Sequence, residues 1–131
     1  MLIEMIGQLQ CEVVDLGVCD SRPVDYPDIA ASVADLVGSG QVERGILIGG
    51  TGLGMCIAAN KVAGVRAVPC HDVMTARFSR AHTDSNVLCL SASLLGNRLM
   101  RLIVEIWIET PFEGGRHQGR VDKITQLERR A

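Results

Sequence analysis

The chain has 131 residues, 47% of them hydrophobic, 21% charged and 3% aromatic, with a formal net charge of -2. That composition excludes a disordered or supercharged polypeptide and describes one domain able to bury about two-thirds of its unfolded surface. With Tyr26, Phe78, Trp107 and Phe112 as the only rings and no excess of cations, stacking on nucleic-acid bases and polyanion binding are excluded as leading functions. No apolar run is long enough to span a bilayer, and no basic segment followed by an apolar stretch opens the chain. The five cysteines (Cys11, Cys19, Cys56, Cys70 and Cys89) are odd in number and lack CxxC spacing. They read as reduced thiols of a cytoplasmic enzyme, because a disulfide framework or a zinc site needs paired or clustered sulfurs.

Leu2, Ile3, Ile6 and Leu9 recur at helical spacing and predict a short opening helix. Residues 11–16 are β-rich and closed by Gly17, the pattern of a short strand. A polar loop is expected over 18–26. Asp25 and Pro27 then mark the start of a helix reaching about Val37, ahead of Gly38-Ser39-Gly40. Gly45-Ile46-Leu47-Ile48 is a continuous apolar run suited to a buried parallel strand. A glycine loop follows, then a helix expected from about Met55 to Lys61. Residues 66–70 read as the next strand, and Asp72 can cap a helix over 73–80. Residues 86–90 give another strand. Leu95, Leu99, Leu102, Ile103 and Ile106 mark a long amphipathic helix, and Gly114-Gly115 separates it from a charged C-terminal helix.

Strands alternating with helices predict a single α/β domain over residues 1–131, a three-layer parallel sheet with helices on both faces and right-handed crossovers. Ligands bind such folds beyond the carboxyl ends of the strands. The glycine loop, Cys70-His71-Asp72 and the segment after Leu90 are all expected at that edge.

Gly49-Gly50-Thr51-Gly52-Leu53-Gly54 follows a strand and opens a helix. Glycines allow positive φ and close approach to the backbone, so the amides of such a loop can hold an anion. The plainer reading is a tight turn that binds nothing. A P-loop is excluded because Gly54 is followed by Met55-Cys56 where Lys-Ser/Thr is required, and a dinucleotide motif needs longer spacing. A phosphate or an enediolate oxygen is the expected anion.

Gly50-Thr51-Gly52-Leu53-Gly54, continued by Ile57-Ala58-Ala59-Asn60-Lys61 and Gly64-Val65-Arg66-Ala67, resembles the ribose-5-phosphate isomerase B and galactose-6-phosphate isomerase family. Asp25-Tyr26-Pro27, Ser79-Arg80-Ala81-His82, Asn86-Val87-Leu88 and Glu113-Gly114-Gly115-Arg116-His117-Gln118 extend the resemblance over essentially the whole chain. It implies a flavodoxin-like sheet, a homodimer or dimer of dimers with active sites between subunits, a sugar-phosphate ligand, and no metal or organic cofactor. It also implies a reaction that opens the sugar ring and moves a proton between C1 and C2 through an enediolate, with ribose 5-phosphate and ribulose 5-phosphate as the expected pair.

By the same resemblance His82 would open the ring with help from Thr51. The amides of Gly50, Gly52, Leu53 and Gly54 would hold the developing oxyanion, and Tyr26 and Thr83 would line the sugar site. Arg116 and Arg120 would clasp the phosphate, a role that suits paired guanidinium donors. Taken alone, His82 reads as a loop histidine, Tyr26 as packing and the two arginines as a solvated helix face.

The chain departs from the family pattern in three places. The family begins with a strand ending in Asp-His, set between the strands expected at 12–16 and 45–48; this chain starts beyond it, so an N-terminally short chain is expected. The family's proton-transfer cysteine falls at Gly49, and the glutamate of its second branch falls at Met55. Cys56 and Cys70 are the thiols placed to substitute, the alternative being two buried apolar cysteines. Thr83 stands where Asn is common and Ser93 where Arg is frequent. Two other function classes follow from these departures: a non-catalytic sugar-phosphate-binding homologue or inactive subunit of a mixed oligomer, and a nucleotide-binding module. The short loop and the lack of a second lobe weigh against the latter.

Overall fold

The computed structural model describes residues 2–17 and 25–128. Three strands, β1 (Gly45–Gly49), β2 (Ala67–Pro69) and β3 (Val87–Ser91), form a parallel sheet in the order β1-β3-β2. Gly45 lies opposite Val87 and Gly49 opposite Ser91, while Ala67 also pairs with Val87 on the other side of β3. Every residue of β3 is buried, as the apolar run Val87–Leu90 requires of a strand covered on both faces.

The helices are α1 (Leu2–Gln8), α2 (Tyr26–Gly38), α3 (Leu53–Ala59), α4 (Val73–Thr83), α5 (Asn97–Glu109) and α6 (Arg116–Leu127). One face of the sheet presents Leu47, Ala67, Val87 and Cys89 to Ala30, Ala34 and Val37 of α2 and to Met55, Cys56 and Ala59 of α3. The other presents Leu88 and Leu90 to α1 through Met5, α4 through Ala76, and α5 through Met100, Ile103, Val104 and Trp107. Small residues on α2 and α3 allow close approach on the first face, and bulky ones fill the second. The expected three layers are present.

Four expectations change. Residues 11–16 form no strand: 12–17 are exposed and pair with none of the described strands. β-propensity becomes a strand only where a neighbour satisfies the backbone N–H and C=O groups, and no ladder reaches this run. The helix after the glycine loop begins at Leu53 rather than Met55, because Gly52 is its N-cap in the left-handed conformation, φ 78°. The helix capped by Asp72, whose carboxylate accepts from the Thr75 amide at 2.7 Å, continues to Thr83. His82 is therefore a helical residue and not a loop residue. Of the polar loop, residues 18–24 with Cys19 lie outside the described residues, and Tyr26 begins α2.

The amino ends of the strands are closed by arginines. Arg44 Nη1 donates to the carbonyls of Trp107 and Ile108 at 3.1 and 2.9 Å, satisfying the last turn of α5. Arg80, 5% exposed, donates to Asp84 Oδ1 at 2.8 Å, to the Ser85 carbonyl and to the Thr110 carbonyl at 3.2 Å. Arg66 donates to the Asp84 carbonyl at 2.9 Å. Trp107, fully buried, donates its indole N–H to Ser85 Oγ at 2.8 Å. These bonds tie α4, α5 and β3 together at one end, and the Glu113 amide then docks on the Ala81 carbonyl at 3.0 Å.

Trp107→Ala removes the largest fully buried side chain and leaves Ser85 without its indole donor. A loss of about 3–5 kcal/mol is expected, read from urea unfolding followed by far-ultraviolet circular dichroism.

Candidate functional site

The glycine loop is pinned to the carboxyl end of β3. The Gly49 and Gly50 carbonyls accept from the amides of Ala92 and Ser93 at 2.8 and 3.0 Å. Ser91 Oγ donates to the Gly50 carbonyl at 2.7 Å and accepts from the Leu94 amide at 3.0 Å. With the carbonyls held inward, the amides of Gly50, Thr51, Gly52 and Gly54 donate to no protein acceptor among the described residues. The Leu53 amide is taken by Thr51 Oγ1 at 3.2 Å. Unpaired amides gathered on one turn form a concavity for negative charge.

One glycine in this loop is sterically required, and a second is in close contact with a side chain. A Cβ at Gly52 would lie 2.9 Å from the Leu90 carbonyl oxygen and 3.1 Å from its carbon, in a left-handed backbone. At Gly54 a Cβ would lie 2.5 Å from Tyr26 Cε1 and 2.6 Å from the Tyr26 hydroxyl. The tyrosine is thus laid against the loop and half-exposed.

His82, Arg116 and Arg120 are elsewhere. α4 leaves the carboxyl edge of the sheet after β2 and runs 11 residues toward the amino edge, a length of about 16 Å. His82 is in its last turn. Arg116 and Arg120 are exposed on the first turns of α6, one helical turn apart and on one face. The glycine loop and the His82–arginine group therefore occupy opposite ends of one chain's sheet.

Around His82 three rings stack. Its imidazole lies 5.0 Å from Phe78 at 28° and 4.3 Å from His117 at 11°, centroid to centroid. Glu113 Oε1 stands 3.9 Å from His82 Nε2 and 3.6 Å from His117 Nε2. His117 is buried; desolvation, followed by the neighbouring His82 and Arg116, holds its pKa below the ordinary histidine range. Glu113 and His117 carried no role in the sequence reading, although Glu113-Gly114-Gly115-Arg116-His117 displays their four-residue spacing. The three ligand atoms of His82, Glu113 and His117 lie within 4.8 Å of one another. The imidazole planes are nearly parallel and stacked, so an ion in the plane of one ring is out of the plane of the other. A converged metal site needs both lone pairs aimed at one point.

The remaining site candidates fall as follows. Thr83 Oγ1 donates to the Ser79 carbonyl at 2.6 Å, which commits its proton to its own helix. Cys56 is buried with its thiol on the Ala67 carbonyl at 3.4 Å. The Cys89 thiol lowers the pKa of Cys56 by hydrogen bonding while burial opposes it, and Cys89 itself is pushed up by that contact and by burial. Cys70 is 1% exposed, and burial raises its thiol. Both candidate bases are turned into the core, the apolar alternative. A Cβ at Gly49 would lie 2.8 Å from Met55 Sδ, so the two positions that could carry a base beside the loop adjoin, and a thioether fills the space.

The chain matches the family described as Ribose/Galactose Isomerase over residues 1–124. It is 49% identical over 119 residues to ribose-5-phosphate isomerase B of Escherichia coli, covering 91% of this chain and 80% of that protein. A ribose-5-phosphate isomerase B structure from Clostridium thermocellum superposes with a TM-score of 0.94 at 44% identity, covering 98% of this chain and 87% of that one. The Mycoplasma genitalium ribose-5-phosphate isomerase B, solved with bound ribulose 5-phosphate, superposes with a TM-score of 0.91 at 44% identity over 98% of this chain and 86% of its own. These matches carry the flavodoxin-like α/β fold with them.

Two outcomes follow from the geometry. Gly52→Ala forces a side chain into a left-handed residue against Leu90, and a stability loss of about 1–3 kcal/mol is expected in urea unfolding. His117 has a folded-state pKa below its unfolded value, so its neutral form stabilises the fold above the ordinary histidine pKa. That contribution is lost as pH falls through the folded pKa. Melting temperature should decline on acidification below about 6.5, and His117→Gln should flatten that decline in a differential scanning series.

Proposed function

Because this chain belongs to the ribose/galactose isomerase family, we propose that it interconverts ribose 5-phosphate and ribulose 5-phosphate in sites each shared by two copies of the chain. The observation that carries the shared site is the separation of the two half-sites. The amide cradle at Gly50–Gly54 lies at the carboxyl edge of the sheet, whereas α4, about 16 Å long, carries His82 away from that edge toward the amino edge where Arg116 and Arg120 also stand. A five-carbon phosphosugar cannot bridge them within one subunit. A homodimer that sets the cradle of one copy against the His82 end of the other completes the site twice.

The chemistry needs four groups, and the two ends divide them. Protonation and deprotonation of the ring and hydroxyl oxygens falls to His82, at the exposed end of α4. The enediolate that forms as C2 loses its proton carries negative charge on oxygen, and the free amides of Gly50, Thr51, Gly52 and Gly54 supply fixed donors for it. Thr51 Oγ1 braces that turn through the Leu53 amide, and Tyr26 walls it through Gly54. Arg116 and Arg120 present two guanidinium forks to the phosphate from one helix face. Holding the phosphate and the carbonyl end at two fixed places converts the encounter into a positioned unimolecular step.

The C2 base is the one group that neither end supplies at its family position. Gly49 has no side chain, Met55 is not ionisable, and Cys56 and Cys70 are buried. This observation favours a second reading, in which the chain binds the phosphosugar and turns it over only beside a subunit that brings the base.

Incubation with ribose 5-phosphate in heavy water separates the two. Ketose formation with deuterium incorporated at C1 or C2 is the expected result for the isomerase. Calorimetric binding without ketose or deuterium, across a panel of pentose and hexose phosphates, would instead make the chain a binding subunit. In that case Gly49→Cys, combined with Met55→Ala to vacate the space the thioether fills, should raise turnover.

A further inference from the structure

We propose that His117 and Glu113 are positioning residues for His82, a ring clamp and a carboxylate brace that hold its imidazole in one orientation at the end of α4. The inference rests on the reading that His82 handles the ring-opening proton.

A histidine in the last turn of a helix, with a side chain 39% exposed, would ordinarily sample several rotamers. Here the ring is stacked on Phe78, one turn earlier on its own helix, and on His117 from α6. Two stacked rings cannot share one face of an imidazole, so both faces are taken and only the rim remains open. Phe78 alone would leave one face of the ring uncovered; His117 covers it. His117 is itself immobilised, 6% exposed and with its amide on the Gly114 carbonyl at 3.0 Å.

The backbone is shaped to make this contact. Gly114 and Gly115 both have positive φ, 67° and 54°, and the ψ of −129° at Gly115 lies in a region open essentially to glycine. Those two residues reverse the chain between Glu113, whose amide is fastened to the Ala81 carbonyl beside His82, and His117 in the first turn of α6. Glu113 and His117 thereby approach His82 from one short segment. The Glu113 carboxylate, 3.6 and 3.9 Å from the two Nε2 atoms, is one small movement from accepting a hydrogen bond from either ring N–H. From there it would orient the rims, while the stacking fixes the planes. A catalytic group held near one geometry before substrate arrives reaches the transition state with less ordering left to do.

The test uses the full chain with ribose 5-phosphate, measuring kcat and KM separately for His117→Ala, His117→Phe and Glu113→Gln. His117→Ala should lower kcat by roughly tenfold to a hundredfold with KM within about twofold. His117→Phe should recover most of that loss, because it restores the stack without an ionisable group. Glu113→Gln, at a half-exposed position, should also lower kcat with KM held. A rise in KM at constant kcat, an unchanged kcat, or a Phe variant no better than the Ala variant would overturn the proposal. Proton NMR of the His82 ring supplies a readout independent of turnover. Its ring-current shifts should move toward exposed-histidine values in His117→Ala and stay near wild type in His117→Phe; no movement in the Ala variant overturns the clamp. His82→Asn keeps the two failures distinct. Undiminished turnover in that variant removes the ring-opening role of His82, whereas the NMR comparison judges the clamp by itself.

Discussion

The closeness of Gly52 to the backbone of Leu90 governs the ligand end of this protein. No side chain fits between them, and the left-handed turn that brings them together starts α3 directly after the loop. The carbonyls of Gly49 and Gly50 are then drawn onto the residues following β3, with Ser91 as the connecting hydroxyl. A peptide unit has its N–H and C=O on opposite sides, so fastening the carbonyls inward leaves amides facing out. The row of outward amides, the anion cradle proposed, is thus a consequence of how tightly the loop is stitched to the central strand, and needs no charged side chain.

At the other end, order comes from arginines bonded to carbonyls. Arg44, Arg66 and Arg80 use as acceptors the carbonyls of the last turn of α5 and of the residues that directly follow α4 and α5. Asp84, left-handed with φ 51°, accepts from Arg80 at the point where α4 stops. The buried guanidinium of Arg80 is tolerated because it has oxygen partners. This lattice fixes the exit of α5 and the path of residues 110–116, which deliver Glu113 and His117 to His82. Packing of Trp107 against Ser85 belongs to the same construction.

On the proposed roles, a sheet with its amide donors at the carboxyl ends and its histidine and guanidinium groups at the amino ends divides one small-molecule site between two chains. Single-chain α/β proteins commonly place the whole site at the carboxyl edge. Here the division makes association of two copies part of the chemistry proposed. It also gives a physical reason for the apolar side chains left exposed near the cradle, Leu53 at 49% and Ile57 at 64%, since a surface that joins a partner need not be polar.

Much was legible in the residues themselves, and the reason is local. The apolar runs at 45–48 and 87–90, Asp72 as a cap, Pro27 at a helix start and the glycines of the 49–54 loop each act within a few residues, so α2, α4, α5, β1, β3 and the loop could be read in order. The family motifs were also continuous strings. What the sequence could not settle depends on contacts between distant segments. Residues 11–16 have strand propensity, yet no neighbour completes a ladder. Cys56 and Cys70 looked available as thiols, and only packing turned them inward. His82, Glu113 and His117 are separated by up to 35 positions in the chain, and their stacking arises because α6 folds back on α4. Propensity and capping are properties of short stretches of polypeptide, whereas burial, ring stacking and the separation of the two half-sites exist only once the sheet has placed its edges.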